Sequence, residues 1–167
     1  MYLRFLTKRS KFKKMDLKFR QANLNDLEEI QELFVETIKS TCQNDYNKQQ
    51  INAWVNSVEN KERWKSILAN QYFLIAEIEN KMVGYGSLEN GNYLDLMYVH
   101  KDFLRKGIAK MIFEKLKDKS IELGFDKLTS DVSKTARPFF ETKGFKVIRE
   151  NKNIIKDVEI INYHMSQ

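Results

Sequence analysis

The stretch YVHKDFLRKGIAKMIFEKL, residues 98–116, joins an apolar, strand-like run to an amphipathic helix through a basic turn. A helix that begins at Gly107 directs unpaired backbone N–H groups and the positive end of its dipole toward the preceding strand. Glycine permits close approach of a ligand, Ala109 keeps the second position small, and Arg105 and Lys106 add positive charge. The turn indicates phosphate binding, and a plain strand-to-helix turn with two solvated cations is the alternative.

The composition of the chain predicts one globular domain. Of 167 residues, 42% are hydrophobic and 31% are charged, which suits one substantial core and is too little for two ordinary domains. The single cysteine excludes an internal disulfide, and with two histidines there is no cluster at metal-ligand spacing, so we expect metal-free chemistry. No apolar run approaches the roughly 18 residues that span a bilayer, and we expect a cytoplasmic protein.

The net charge of +6 comes from residues 1–14, which hold six basic residues and no acidic one. Without these six, the remaining 23 Lys and Arg balance the 23 Asp and Glu, so the rest of the chain is formally neutral. We predict a basic extension over residues 1–14, disordered or upstream of a start at Met15, and a single domain over residues 15–167. The alternative is a tether to an anionic surface, but the neutral domain argues against a nucleic-acid-binding protein.

Alternating strand and helix patterns predict a mixed α/β fold. We expect a first strand over residues 17–22, then a helix and two short helical segments that contain Trp54 and Trp64. Three strands joined by short polar turns follow over residues 72–99 and predict an antiparallel meander. The helix of the basic turn, another strand, a short helix and a final antiparallel pair of strands complete the order.

This order and two motifs resemble the GNAT superfamily of acetyl-CoA-dependent N-acetyltransferases. The first motif is LRKGIA, residues 104–109, in which Leu104 replaces the usual Gln or Arg of the family's phosphate loop. The second is ARPFFETKGF, residues 136–145. The resemblance covers residues 17–165 and implies a mixed, mostly antiparallel seven-stranded sheet flanked by helices and splayed between the fourth and fifth strands. The segment from Tyr46 to Trp54 resembles one uncharacterised bacterial subgroup, and a homodimer is compatible with the family.

The resemblance implies acetyl-CoA as the cofactor. In this fold the fourth strand leaves backbone groups free to bind the pantetheine arm and to polarise the thioester. Ser133 stands where the family often has an asparagine that contacts the cofactor, and Phe140 is placed to pack beside it. The residues expected to bind the cofactor are Met97, Tyr98, Val99, Arg105, Lys106, Gly107, Ile108, Ala109, Ser133 and Phe140.

Transfer to an amine requires a base for the amine proton. Strand periodicity places Tyr93, Asp95, Met97 and Val99 on one face, and the base of the family often lies on this strand, two residues before Asp95. We expect Asp95 to act as the base, directly or through water. The alternative is a solvated or ion-paired aspartate, and Glu77 and Glu89 are further candidates.

The departing thiolate also gains a proton in the family, usually from a tyrosine. That position is Phe140 here, and phenylalanine has no proton to donate. Tyr98 is our candidate for the acid, with Tyr163 and Cys42 as substitutes, and a thiol with a pKa near 8.5 is also a tolerable leaving group unaided.

Acceptor specificity in the family lies between the first two helices and in the last two strands. We expect Tyr46, Trp54 and Tyr93 to contact a small-molecule or peptide amine. Trp54 is alternatively an anchor for its helix, and His100 and His164 are expected to be incidental. The predicted function is direct acetyl transfer to a primary amine, and the alternative is a noncatalytic module that binds CoA or another metabolite.

Overall fold

A computed structural model describes residues 16–167, and the predicted basic extension lies outside them. The strands are β1 (Leu17–Gln21), β2 (Tyr72–Ile78), β3 (Lys81–Glu89), β4 (Tyr93–Val99), β5 (Thr129–Ser133), β6 (Lys146–Ile155) and β7 (Val158–Ser166). The helices are α1 (Leu27–Thr41), α2 (Lys48–Val55), α3 (Lys61–Asn70), α4 (Ile108–Glu122) and α5 (Arg137–Thr142). The predicted α/β class, the meander and the final antiparallel pair are confirmed.

The described strands form one seven-stranded sheet in the order β1-β2-β3-β4-β5-β7-β6. All neighbouring strands are antiparallel except β4 and β5, which run parallel. Because β7 is inserted between β5 and β6, the β6–β7 hairpin folds back toward the centre of the sheet. This arrangement makes β7 the partner of β5.

Local sequence accounts for the starts of helices and for the tight hairpins. Asn23 and Asn47 each accept a backbone N–H and begin their helical segments through reciprocal capping boxes. Asn80 and Asp157 adopt left-handed φ angles of 61° and 64° in the turns that join β2 to β3 and β6 to β7. Asn and Asp tolerate this conformation well, so these turns keep the paired strands in register.

The sheet separates two apolar cores. Helices α1 to α3 cover one face, where Phe34 packs edge-on against Trp64 in a core that also contains Tyr85. Helix α4 covers the opposite face, with α5 beside it. At Gly86 an added Cβ would lie 2.7 Å from a side-chain methyl of Leu116, so glycine in β3 lets α4 lie directly on the sheet. This close packing holds the first turn of α4 beside the end of β4.

A bulge interrupts β4. Leu94 pairs with Leu88 of β3 and Leu96 pairs with Ser87, so Asp95 has no partner on that strand. Such an insertion breaks the alternation of side chains. Met97 and Val99 therefore pack in the α4 core, whereas Tyr98 packs with Phe34 below α1. The expectation that Asp95, Met97 and Val99 share one face is wrong, because strict period two does not survive the bulge.

Candidate active site

The gap between β4 and β5 is the first element of the site. These strands pair at a single position, Tyr93 with Thr129, and then separate. The N–H of His100 donates to the Val83 carbonyl of β3. Because backbone groups point to alternate sides along a strand, those of Met97 and Val99 point away from β3 and into the gap. The Val99 carbonyl accepts a bond from Thr37 Oγ1 at 3.2 Å. The gap thus presents the backbone N–H groups of Met97 and Val99 to a ligand.

Tyr98 contributes to the site differently from the expectation. By the same alternation its backbone groups face β3, where it pairs with Tyr85, so they are not presented to the gap. Its side chain lines the cleft instead and packs against Phe34 with 5.0 Å between ring centroids. Burial raises the pKa of Tyr98 well above its ordinary value, and the hydroxyl is therefore neutral at physiological pH.

The basic turn is the second element. Arg105 and Gly107 adopt left-handed conformations with φ angles of 59° and 81°, and Gly107 precedes α4 without any side-chain cap. An added Cβ at Gly107 would meet no atom within 4 Å, so its surroundings are open. Lys106 is held by a hydrogen bond from Nζ to the Asp102 carbonyl at 2.9 Å. The first N–H groups of α4, beginning at Ile108, are left for an anion.

The gap and the turn open into one cleft of about 1080 Å³. Predicted cofactor residues that line it are Met97, Tyr98, Val99, Arg105, Ala109, Ser133 and Phe140. Ser133 Oγ accepts the N–H of Ala136 at 3.1 Å and so also shapes the start of α5. Phe140 is 3% exposed, and its ring packs on Phe145 in the α4 core. The residue at position 140 therefore forms the apolar wall of the cleft.

The carboxylate of Asp95 lies where this cleft meets a smaller cavity of about 360 Å³. Its Oδ2 accepts a hydrogen bond from Gln71 Nε2 at 2.8 Å. Arg63 of α3 lines the same two cavities, yet it forms no ion pair with Asp95. Because it is a bulge residue, Asp95 points toward the α3 side of the sheet. Its carboxylate is thus oriented by Gln71 but is not paired with Arg63.

Tyr46 and Trp54 form the wall opposite the sheet. The hydroxyl of Tyr46 donates to the Ile161 carbonyl at 2.8 Å and accepts the N–H of Lys134 at 2.9 Å. Burial raises the pKa of Tyr46 to about 12, although the bond from Lys134 acts in the opposite direction. Trp54 packs edge-on against this ring and lines the cleft, whereas Trp64 is fully buried and anchors α3.

Sequence reasoning missed a second carboxylate, Asp131 of β5, which also lines the cleft. Its Oδ1 lies 2.7 Å from Nδ1 of His164 on β7, so His164 contacts a residue of the cleft wall. Burial and the nearby charge of Asp131 raise the pKa of Tyr93, which lines the cleft beside them. Asp131 and His164 meet because β5 pairs with β7, so no pattern within either segment predicts their contact.

The remaining candidates lie elsewhere or are engaged. Glu77 pairs with Arg20 at 2.8 Å, and Glu89 lies at the smaller cavity. The ring of Tyr163 lies under the Arg137 guanidinium, 4.7 Å from its centroid. Cys42 lines the cleft, but burial raises the pKa of its thiol. These contacts leave Asp95 and Asp131 as the carboxylates that line the cleft.

A splayed pair of strands beside an open helix N-terminus defines a site for an extended ligand that carries phosphate. Residues 42–166 match the family model described as "Acetyltransferase (GNAT) domain". The chain therefore belongs to the GNAT family of N-acetyltransferases, and it is an acyltransferase. The predicted fold and family are confirmed.

Three relatives illustrate the similarity. The uncharacterized N-acetyltransferase YafP of Escherichia coli K12 is 29% identical over 150 residues, which cover 90% of this chain and 95% of YafP. The structure of a GCN5-related N-acetyltransferase from Rhodopseudomonas palustris is 25% identical, with a TM-score of 0.86 over 90% of this chain and 94% of that one. The PaiA N-acetyltransferase of Thermoplasma acidophilum, solved with coenzyme A, is 19% identical, with a TM-score of 0.77 over 92% and 99%.

Over residues 16–167, no helix is long and apolar enough to cross a membrane. In the same part of the chain, no group of three or more His, Cys, Asp or Glu side chains is arranged to hold a metal ion.

Proposed function

We propose that the protein transfers an acetyl group from acetyl-CoA directly to a primary amine. The observation that carries the proposal is the meeting of the β4–β5 gap and the open N-terminus of α4 in one cleft. Acetyl-CoA, when bound, supplies the acetyl group as a thioester. The solved complex of the PaiA relative with coenzyme A supports this choice of cofactor.

The residues present fit the cofactor. The N–H groups of Met97 and Val99 would bind its pantetheine arm, because they point into the gap and strand pairing leaves them free. The backbone from Gly107 to Ala109 would bind the pyrophosphate at the positive end of α4, and Arg105 and Lys106 would add charge. Ser133 and Phe140 would contact the arm from the opposite wall. These roles follow from the chemistry of each group.

Asp95 is the proposed base. Its carboxylate lines the cleft, and the bond from Gln71 fixes one oxygen while leaving the other available. Asp95 accepts the proton that the amine loses when its nitrogen forms the amide bond. Because Tyr93 lies on the same wall, we propose that it positions the acceptor together with Tyr46 and Trp54.

Tyr98 is proposed to stabilise the thiolate by donating a hydrogen bond. Its pKa is raised above that of an ordinary phenol, whereas a thiol has a pKa of roughly 8.5, so full proton transfer to sulfur is uphill. A neutral hydroxyl still donates well to an anion. This supports Tyr98 as a hydrogen-bond donor to the thiolate and not as the proton donor expected from the sequence.

The test combines calorimetric titration of acetyl-CoA with thiol release in a panel of amines. Asp95→Asn keeps an acceptor for Gln71, so we expect kcat to fall by about 100- to 1000-fold with the acetyl-CoA Kd unchanged. Tyr98→Phe should lower kcat by about 10-fold and leave Kd unchanged. Asp118→Asn, which removes an exposed carboxylate of α4 that lines neither cavity, is the matched control. If Asp95→Asn and Asp118→Asn have the same rate and pH profile, Asp95 is not the base.

A further inference from the structure

We infer that the acceptor is a zwitterion: a small hydrophobic amine that also carries a carboxylate, such as an apolar α-amino acid, with Arg63 as the carboxylate-binding residue. This inference rests on the proposed function, because it concerns the acceptor of the same reaction. The evidence for it is the set of charged side chains that line the cleft around Asp95.

Five charged residues line the cleft, and two of them are already assigned. Arg105 belongs to the phosphate-binding turn, and Asp131 lies against His164 at 2.7 Å. The other three are Arg63, Asp95 and Lys152. Two further carboxylates lie nearby, Asp131 beside Tyr93 and Glu89 at the smaller cavity. Both signs of charge therefore surround the acceptor, which suits a ligand with one ammonium and one carboxylate.

Arg63 is the cation best placed to bind that group. It forms no ion pair within the described part of the chain, whereas Lys65 of α3 and Lys156 of the β6–β7 turn each pair with a glutamate at the surface. It lines both cavities with Asp95, and its charge reaches the site because it lowers the pKa of Tyr98 against the effect of burial. A guanidinium can bind a carboxylate with two parallel N–H bonds.

The separation of Arg63 from Asp95 fits a ligand with both charges. The two residues line the same space without contacting each other, so a positive and a negative group remain available side by side. An α-ammonium beside Asp95 and its carboxylate on Arg63 would satisfy both. The ammonium would then already lie next to the proposed base.

Apolar side chains line the same cleft as these charges. Trp54 of α2 and three isoleucines of the β6–β7 hairpin, Ile154, Ile155 and Ile160, line the cleft. Ile154 is 65% exposed, and an apolar side chain of the acceptor would cover it. An aliphatic or aromatic amino acid matches this surface better than a polar one.

The experiment measures thiol release at saturating acetyl-CoA with matched acceptors: L-leucine, L-leucinamide and 3-methylbutylamine, and the corresponding phenylalanine series. The amides have the less basic and more readily deprotonated amines, so chemistry alone favours them. We expect wild type to prefer the amino acids. Arg63→Met should lower the ratio of kcat/KM for acid over amide by about 10- to 100-fold, and Arg63→Lys should retain part of it.

Lys65→Met is the control, because Lys65 is a cation on the same helix that pairs with Glu62 at 3.3 Å, and it should leave the ratio unchanged. Thermal unfolding verifies that each variant is folded. An unchanged ratio in Arg63→Met, a preference for the amides, or failure to acetylate any amino acid while acetyl-CoA binds would overturn the inference. If acetyl-CoA itself does not bind, the proposed function has failed instead.

Discussion

Replacing Gly107 by glutamate tests the phosphate-binding turn, and the structure allows charge to be separated from strain. Gly107 has a φ of 81°, so any L-residue there is strained by about 1 kcal/mol. No atom lies within 4 Å of an added Cβ, so a side chain meets no steric barrier. Gly107→Ala therefore introduces the strain alone, and Gly107→Glu introduces the same strain with one negative charge.

The charge should dominate the loss of affinity. At roughly 6 Å and an effective dielectric constant of 20 to 40, two like charges repel by about 1.4 to 2.8 kcal/mol. A pyrophosphate carries two charges, and partial screening leaves about 2 to 4 kcal/mol, which corresponds to roughly 30- to 1000-fold in Kd. Gly107→Ala should weaken binding by less than about fivefold and lower Tm by about 2–4 °C.

Calorimetric titration of acetyl-CoA into wild type and both variants measures the difference. Higher salt should partly restore binding to Gly107→Glu, because its defect is electrostatic, and should not help Gly107→Ala. If the two variants are folded and have the same Kd at low salt, no phosphate lies beside residue 107. The assignment of the turn would then be wrong.

Two further predictions concern the framework around the cleft. Tyr46→Phe removes a hydroxyl that bonds two backbone groups, so chemical denaturation should show a loss of about 1–3 kcal/mol and the acceptor KM should rise; an unchanged stability would contradict the observed bonds. Asp26→Asn breaks the bidentate pair with Arg20, whose guanidinium holds the pKa of Asp26 below its usual range. A lowered carboxyl pKa stabilises the fold above the unfolded value, and this effect is lost as pH falls through the folded value. Urea unfolding should therefore show a deficit of about 1–3 kcal/mol at pH 7 that shrinks as the pH falls below about 4. A deficit that is independent of pH would refute the electrostatic explanation.

Local chemistry made much of the fold predictable. The three-strand meander, the final hairpin and the long helix after the basic turn follow from period, turn residues and capping, which act over a few residues. The place of β7 between β5 and β6 was not predicted, because it depends on contacts between strands far apart in the sequence. The helix containing Trp64 was predicted, and full burial of this ring explains why a short helix is stable there.

The site was predictable where one short segment builds it. Residues 104–109 form the expected turn, and the left-handed Gly107 explains the glycine. The contacts of Asp95, Arg63 and Asp131 depend on α3, β4, β5 and β7 meeting, and they have no signature in any one segment. A sequence can therefore suggest that Asp95 is chemically suitable without showing which charges accompany it.

One inserted residue links the fold to the proposed chemistry. Without the bulge at Asp95, period two would place this carboxylate on the same face as Met97 and Val99, in the core that α4 fills. That face is closed, because Gly86 brings the helix directly onto β3. The bulge lets Asp95 face the open side while Met97 and Val99 keep their side chains in the α4 core and their backbone groups turned toward β5. The proposed base and the proposed cofactor-binding amides thus depend on the same local irregularity, since a regular strand of this sequence could place one of them but not both.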